Sequence, residues 1–317
     1  LASAAKMHFS PEGIGVPLTP AVITPTPRIA IVVASIRRAE EIGQLLSHLA
    51  VQTLPPFSII LSVEQPSDLP PGLPPDINVV MGPKGLTQQR NRGLELALSM
   101  SDLIVFFDDD FIPVSDALEG MARLFALAPD IVAATGLVLR DGVKRGGISY
   151  NEALETVRAY EEQRVKAQPA KVEHTGELYG CNMVFRSAAI GACRFDETLP
   201  LYGWQEDVDF TGQIMKKGST VRTNAFAGVH RGVNKGRTQG TALGYSQIIN
   251  PIYLVRKGTM RPVKALILVT KNFLANHIRL LRPEPFIDRI GRCRGNWRGI
   301  FDLLCRRCNP ENVLTLH

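Results

Sequence analysis

Three adjacent aspartates, Asp108, Asp109 and Asp110, close the run Phe106-Phe107-Asp108-Asp109-Asp110-Phe111. Neighbouring carboxylates repel one another, so the cluster needs a compensating cation. Mg2+ and Mn2+ prefer oxygen ligands, and Mg2+ is commonly held by one or two carboxylates together with substrate phosphates. In an extended segment Asp108 and Asp110 point to one side and Asp109 to the other, so the first and third form the expected functional pair. A solvated acidic turn is the plain alternative.

A second acidic group is Glu206-Asp207, with Asp209 close behind. A carboxylate beside a hydroxyl can act as a general base, although a helix start also favours acids for its own sake. His230 follows a hydrophobic stretch. Imidazole is an acceptable ligand for Mn2+, although a lone histidine is more often structural. The loop that begins at His230 combines Arg231, Lys235 and Arg237 with Gly232 and Gly236. Glycines let a backbone close over a ligand, and the cations suit a diphosphate; a surface loop is the alternative. Gln88-Gln89-Arg90-Asn91-Arg92-Gly93 opens a helix, and a helix start is a ready site for anions or polar ligands.

These groups must be positioned by alternating elements. Ile29 to Ala34 is a β-branched run that fits a buried parallel strand. Ile42, Leu45, Leu46 and Leu49 share one face of the helix that follows, closed by Pro55-Pro56. Strands are predicted over Phe57 to Val63, Ile77 to Met81, Leu103 to Phe107 and Ile131 to Leu139. Helices are predicted over Thr87 to Met100, from a Ser115 cap to Pro129, over Asn151 to Lys166 and over Glu206 to Lys217. Such alternation predicts an α/β fold with a mainly parallel sheet covered on both faces, and ligands at the carboxyl ends of its strands. Asp108 to Asp110 occupy one such end. Residues 1–27, rich in Pro, Ala and Thr, read as a flexible arm, residues 28–240 as the catalytic domain and residues 241–317 as a helical extension.

The chain has 317 residues, 45% of them hydrophobic, and a formal charge of +6. That balance is too apolar for disorder and suits a phosphate-bearing ligand or an anionic membrane surface without demanding nucleic acid. Five cysteines form no regular framework, which points to a reducing, cytoplasmic setting. Cys305-Arg306-Arg307-Cys308, with Cys293 upstream, lacks four zinc ligands at standard spacing. The first residues lack a basic region leading into an apolar run, and no apolar stretch reaches the roughly 18 to 20 residues of a membrane span. Beyond Pro251 basic amphipathic helices are expected to the end. Val263 to Arg282 mixes Leu266, Ile267, Val269, Phe273, Leu274 and Ile278 with Lys264, Lys271, Arg279 and Arg282. Such a helix suits the cytoplasmic face of an anionic membrane or packing on the core.

The order Arg-Asn-x-Gly, Asp-x-Asp, Glu-Asp and a late histidine resembles glycosyltransferase family 2. The resemblance covers roughly Arg28 to Arg237, through Arg90-Asn91-Arg92-Gly93, Phe107-Asp108-Asp109-Asp110, Phe195-Asp196-Glu197 and Trp204-Gln205-Glu206-Asp207-Val208-Asp209. It implies the GT-A fold and inverting transfer from a nucleotide-sugar donor, with UDP favoured, to a saccharide or lipid-linked saccharide in polysaccharide or glycoconjugate synthesis. It further implies that Asp108 touches the nucleoside, with Asp109 beside it. Asp110 and His230 would hold Mn2+ or Mg2+, Asp207 would deprotonate the acceptor and Glu206 would position it. Ala34, Ser35 and Arg37 would line the nucleotide pocket, with Arg90, Arg231 and Lys235 also on the donor. Tyr202 and Trp204, just before the base, are candidate acceptor platforms, because an aromatic ring can stack on a sugar face. Two departures stand out. Ser62-Val63-Glu64-Gln65 occupies the place of the family's aspartate-rich base-reading turn, where Glu64 is the substitute, and Ser35-Ile36-Arg37 replaces the usual proline-tyrosine-asparagine. A sugar-nucleotide nucleotidyltransferase would share a metal-bound nucleotide but needs a glycine-rich loop that is missing near Arg37 and Arg38. A non-enzymatic basic membrane-binding module leaves both acidic groups without a purpose.

Overall fold

Aliphatic and β-branched runs build one sheet from ten strands among the described residues, 14–16, 26–143, 145–164, 169–233 and 239–316 of the computed structural model. They are β1 (Ile14–Val16), β2 (Ile29–Ala34), β3 (Ser58–Val63), β4 (Asn78–Met81), β5 (Leu103–Asp108), β6 (Phe111–Pro113), β7 (Ile131–Asp141), β8 (Ala170–His174), β9 (Asn182–Arg186) and β10 (Ser219–His230). The helices are α1 (Ala39–Leu49), α2 (Leu86–Leu98), α3 (Ala117–Leu127), α4 (Tyr150–Gln163), α5 (Ser187–Ile190), α6 (Glu206–Ile214), α7 (Gly240–Lys257), α8 (Pro262–Ile278) and α9 (Arg289–Leu304).

The strand order is β1-β8-β10-β7-β9-β5-β2-β3-β4, and β6 pairs with β10 off that path. From β10 to β4 only β9 runs against its neighbours, so the body of the sheet is mainly parallel. Both faces are covered. Along β2, Ile29, Ile31 and Val33 enter the core shared with α1 and α3, while Ala30 and Val32 enter the one shared with α2 and α6. A strand buried on both sides must be apolar throughout, as this one is. Gly93 lets α2 settle onto β2, since a Cβ there would lie 2.4 Å from Cγ1 of Val32.

Several expectations are corrected. Part of the N-terminal arm is a strand: Val16 pairs with Ala170 on the antiparallel β8. Ser115 does not cap α3; the helix follows Asp116, and the Ser115 amide donates to Glu161. Pro251 lies inside α7, and beyond it only helical elements follow among the described residues, as expected. β7 runs two residues past Leu139, to Asp141. The expected end of the Asn151 helix at Lys166 lies outside the described residues; α4 ends at Gln163. No helix among the described residues is long and apolar enough to cross a membrane.

The C-terminal helices pack on one another through small residues. A Cβ on Gly295 would lie 2.0 Å from the Thr241 carbonyl, and one on Gly244 2.1 Å from that of Arg292. They also reach the body of the protein, where Asn250 on α7 donates to the Trp204 carbonyl at 2.9 Å.

Candidate active site

Parallel strands end on the same edge of a sheet, so their last residues become neighbours. Ala34, at the end of β2, pairs with Asp108 at the end of β5, and Asp141, at the end of β7, pairs with His230 at the end of β10. Asp108, Asp110 and His230 each offer a ligand atom, all within 4.8 Å of one another. No other such group of acidic, histidine or cysteine side chains occurs among the described residues, and the five cysteines are free thiols.

The three aspartates divide their work. Asp108 accepts from Arg90 at 2.9 Å. Asp109 turns away from that pair and accepts from Ser35 Oγ at 2.5 Å and Arg38 at 2.8 Å. Asp110 accepts the Val233 amide at 2.7 Å on Oδ2, while its buried Oδ1 has no hydrogen-bond partner and faces Nε2 of His230 at 3.4 Å. On the far side of that ring, Nδ1 lies 3.2 Å from Asp141, which also accepts from Tyr179 Oη at 2.9 Å. A carboxylate behind an imidazole fixes its tautomer and aims the other nitrogen at a cation. Two carboxylates and one oriented imidazole, their ligand atoms within 4.8 Å of one another, form a donor set suited to Mn2+.

Electrostatics follow from this crowding. Burial pulls the His230 pKa down, but Asp110, Asp141 and Asp108 outweigh it and hold the ring protonated well above its ordinary range. Burial pushes Asp110 up, but His230, Arg38 and the Val233 amide outweigh it and hold the carboxyl below its ordinary range. Asp109 is pushed up to about 7, chiefly by burial and by Asp110, against the pull of Arg38.

The second acidic group lies against the first. Arg90 is fully buried, and its guanidinium bonds Asp108 on one terminal nitrogen and Glu206 on the other, with the Gly180 carbonyl at 2.9 Å. Asp207 accepts the Gly180 amide at 3.1 Å. Burial raises the pKa of both carboxyls, to about 8 for Glu206, against the opposing pull of Arg90. Glu206 is buried and Asp207 partly exposed, so the second can meet an incoming hydroxyl. The turn that delivers them is strained: Leu201, Gly203 and Gln205 all have positive φ, at 60°, 58° and 75°. Such strain in non-glycine residues persists only where the surroundings hold it, and it gathers at functional sites.

The remaining expected residues are scattered. Ser35 reaches the cluster through Asp109, whereas Arg37 is exposed in a left-handed turn, its amide 2.8 Å from Asp68. Asp68 is fully buried and also accepts the Glu64 and Gln65 amides, so the acid after β3 shapes its own loop. Arg231 does not face the acids. Alternation along the chain sends His230 inward, and the Arg231 guanidinium bonds Gln44 and the Ile148 carbonyl and lies over the Tyr150 ring. Arg38 supplies the positive charge at the aspartates instead. Tyr202 is 55% exposed and Trp204 only 8%, so the tyrosine is the ring open to a ligand. Lys235 and Arg237 lie outside the described residues. Arg38, Asp141 and Tyr179 were missed; the strand-end rule that singles out Asp108 also applies to Asp141, once β7 is given its full length.

The family model described as "Glycosyl transferase family 2" matches residues 30–192, just over half of the chain. No curated protein sequence matches this chain. Among solved structures it is similar to the mannosyltransferase PcManGT from Pyrobaculum calidifontis in complex with GDP-Man and Mn2+. That likeness has 13% identity and a TM-score of 0.51, over 92% of this chain and 86% of that one. It is also similar to residues 1–349 of S. aureus TarS, at 14% identity and TM-score 0.53, over 90% and 82% of the two chains. A third likeness is to GalNAc-T7 with UDP, GalNAc and Mn2+, at 11% identity and TM-score 0.53, over 89% of this chain and 57% of that one. At these identities the likeness speaks for the fold, that of GT-A glycosyltransferases.

Proposed function

Because the chain belongs to glycosyl transferase family 2, we propose that it moves a sugar from a nucleotide-sugar donor to an acceptor hydroxyl in a single inverting displacement that depends on Mn2+ or Mg2+. The observation that carries this is the junction of the two acidic groups: Asp108, Asp110 and His230 converge, and Arg90 ties Asp108 to Glu206 beside Asp207. Asp108, Asp110 and His230 would hold the cation, which neutralises charge on the leaving diphosphate when bound. Asp109 anchors the loop after β2, where Ala34 and Ser35 flank the donor nucleotide. Asp207 takes the proton of the attacking hydroxyl, and its raised pKa makes it a stronger base than an ordinary aspartate. The Gly180 and Val208 amides hold that base in place, and Glu206, fixed by Arg90, positions the acceptor beside it.

The donor proposed is a UDP-sugar. The acceptor proposed is a saccharide hydroxyl, carried on a lipid, with Tyr202 as the ring beneath it. Incubation with a panel of UDP- and GDP-sugars and Mn2+ tests the reaction class. Slow release of nucleoside diphosphate supports transfer; in a parallel incubation with nucleoside triphosphates and sugar phosphates, release of pyrophosphate points to nucleotidyl chemistry, and neither product in either incubation defeats both.

A further inference from the structure

Helices α8 and α9 are built inside out for a protein in water. The face that α8 turns inward carries Asn272 and Asn276, both buried and bonded within a polar network with Gln247, Asn296 and Arg289. The face it turns outward carries Val263, Leu266, Ile267, Leu274 and Ile278, all exposed, and continues to Leu281 at 87% exposure. Spacings of three, four and seven residues place them on one face of the helix, with Thr270 and Lys271 exposed in the turn between Ile267 and Leu274. On α9 the buried positions are small or polar, including Gly291, Gly295, Asn296, Gly299 and Asp302. Its exposed positions include Ile290, Trp297, Phe301 and Leu304. Small residues between helices and apolar ones facing out are the pattern of helices that meet lipid. Neither helix is long and apolar enough to span, so the fitting geometry is one lying on the surface.

The charge pattern selects the kind of surface. From Pro262 to Arg282 there is no acidic residue; Lys264 pairs with Glu177 and Arg279 with Glu284, while Lys271 and Arg282 are exposed beside that apolar face. On α9 the single acid, Asp302, is buried under the Tyr245 hydroxyl and lies 3.4 Å from Arg298, while Arg294 is exposed beside Trp297. An apolar stripe edged by cations, with a tryptophan among them, complements anionic headgroups over acyl chains. Between α7 and α8 lies an apolar groove of about 240 Å3, walled by Ile252, Val255, Leu266 and Val269.

We propose that the outward faces of α8 and α9 seat this protein on an anionic phospholipid bilayer. The seat adjoins the reaction site, because Ala265 of α8 packs in one cluster with Val208, the neighbour of Asp207, and with Leu199. A membrane-seated α8 therefore presents the base helix to acceptors anchored in the same bilayer. This last consequence rests on the transferase reading, whereas the seating itself does not.

The test is flotation of the full chain with phosphatidylcholine vesicles, with and without about a quarter phosphatidylglycerol. The expected result is co-flotation with the anionic vesicles only, weakened by high salt. Leu274→Glu and Trp297→Glu, both at exposed positions, should each reduce binding by about tenfold or more. Lys271→Glu with Arg294→Glu should abolish the preference for anionic lipid. Unchanged flotation in these variants overturns the proposal. So does a chain that ignores vesicles and forms a dimer that Leu274→Glu dissociates, since the stripe then belongs to a second copy. Calorimetric donor binding, measured on the same variants without vesicles, should be unchanged; its loss in the parent chain would count against the transferase reading while leaving the flotation result standing.

Discussion

The guanidinium of Arg90 lies 2.9 Å from Asp108 and bonds Glu206 through its other terminal nitrogen, so one buried cation joins the end of β5 to the start of α6. Stacking near Phe195, at 5.5 Å, removes it further from water. Removing one partner of a buried ion pair typically costs about 3 to 5 kcal/mol, because the remaining charge is left uncompensated. Arg90→Ala should lower unfolding stability by about that amount in urea titrations. Arg90→Lys should fall between, since a point charge cannot reach both carboxylates as a planar fork does. An alanine variant as stable as the parent would remove Arg90 from this role.

Asp207 is the one partly exposed member of the second acidic group, whose Glu206 and Asp209 are buried. Asp207→Asn should lower transfer by about 10² to 10⁴-fold, the worth of a positioned base, while calorimetry shows donor binding preserved. Burial holds its pKa above the ordinary aspartate value, so the acid limb of the pH-rate profile should lie above pH 3.8. Loss of donor binding in the asparagine variant would instead make Asp207 a donor-site residue.

His230 gives the metal-free protein a pH signature. Its folded pKa is raised above the ordinary 6.5, so its stabilising contribution is full below that pH and is lost as pH rises through the folded value. Asp110 works oppositely: its folded pKa is depressed, and its contribution is lost as pH falls below 3.8. Melting temperature without metal should therefore decline on the alkaline side, and His230→Gln should flatten that decline. Because a metal must displace the imidazolium proton, Mn2+ should bind more tightly as pH rises. Asp110→Ala should abolish Mn2+ binding, and Asp141→Ala, which frees the ring, should weaken it by about 10 to 100-fold. A Mn2+ affinity that is independent of pH would contradict the imidazolium assignment.

Gly93 sets how closely α2 approaches the sheet. A methyl group there meets Val32 at 2.4 Å. Gly93→Ala should cost about 1 to 3 kcal/mol of stability by overpacking, and Val32→Ala in the same chain should recover part of it. An additive double mutant would show that the two residues do not meet.

Much of the scaffold was legible because it is local. The apolar run Ile29 to Ala34 and the spacing of Ile42, Leu45 and Leu49 each encode a period that a short window contains, and β2 and α1 lie there. Where a signal was not local, reading failed. Ile14 to Val16 has no pattern of its own and becomes a strand only because β8 offers an edge. Ser115 resembles a helix cap, yet its amide is taken by Glu161, 46 residues away. Arg231 and Arg38 have the same chemistry on paper, and only the packing of α1 and α4 decides which one meets the aspartates.

By itself the sequence determined the alternation of strands and helices, the acids at a strand's end and the order of motifs that a family shares. Only the tertiary structure decided that Asp141 stands behind His230, that Arg90 spans 116 residues of chain to reach Glu206, and that α8 hides its asparagines and shows its leucines. Periodicity says which side chains share a face of one element. What that face meets is set by the order of strands in the sheet and by helix packing, whose contacts join residues too distant in the chain for any local pattern to record them.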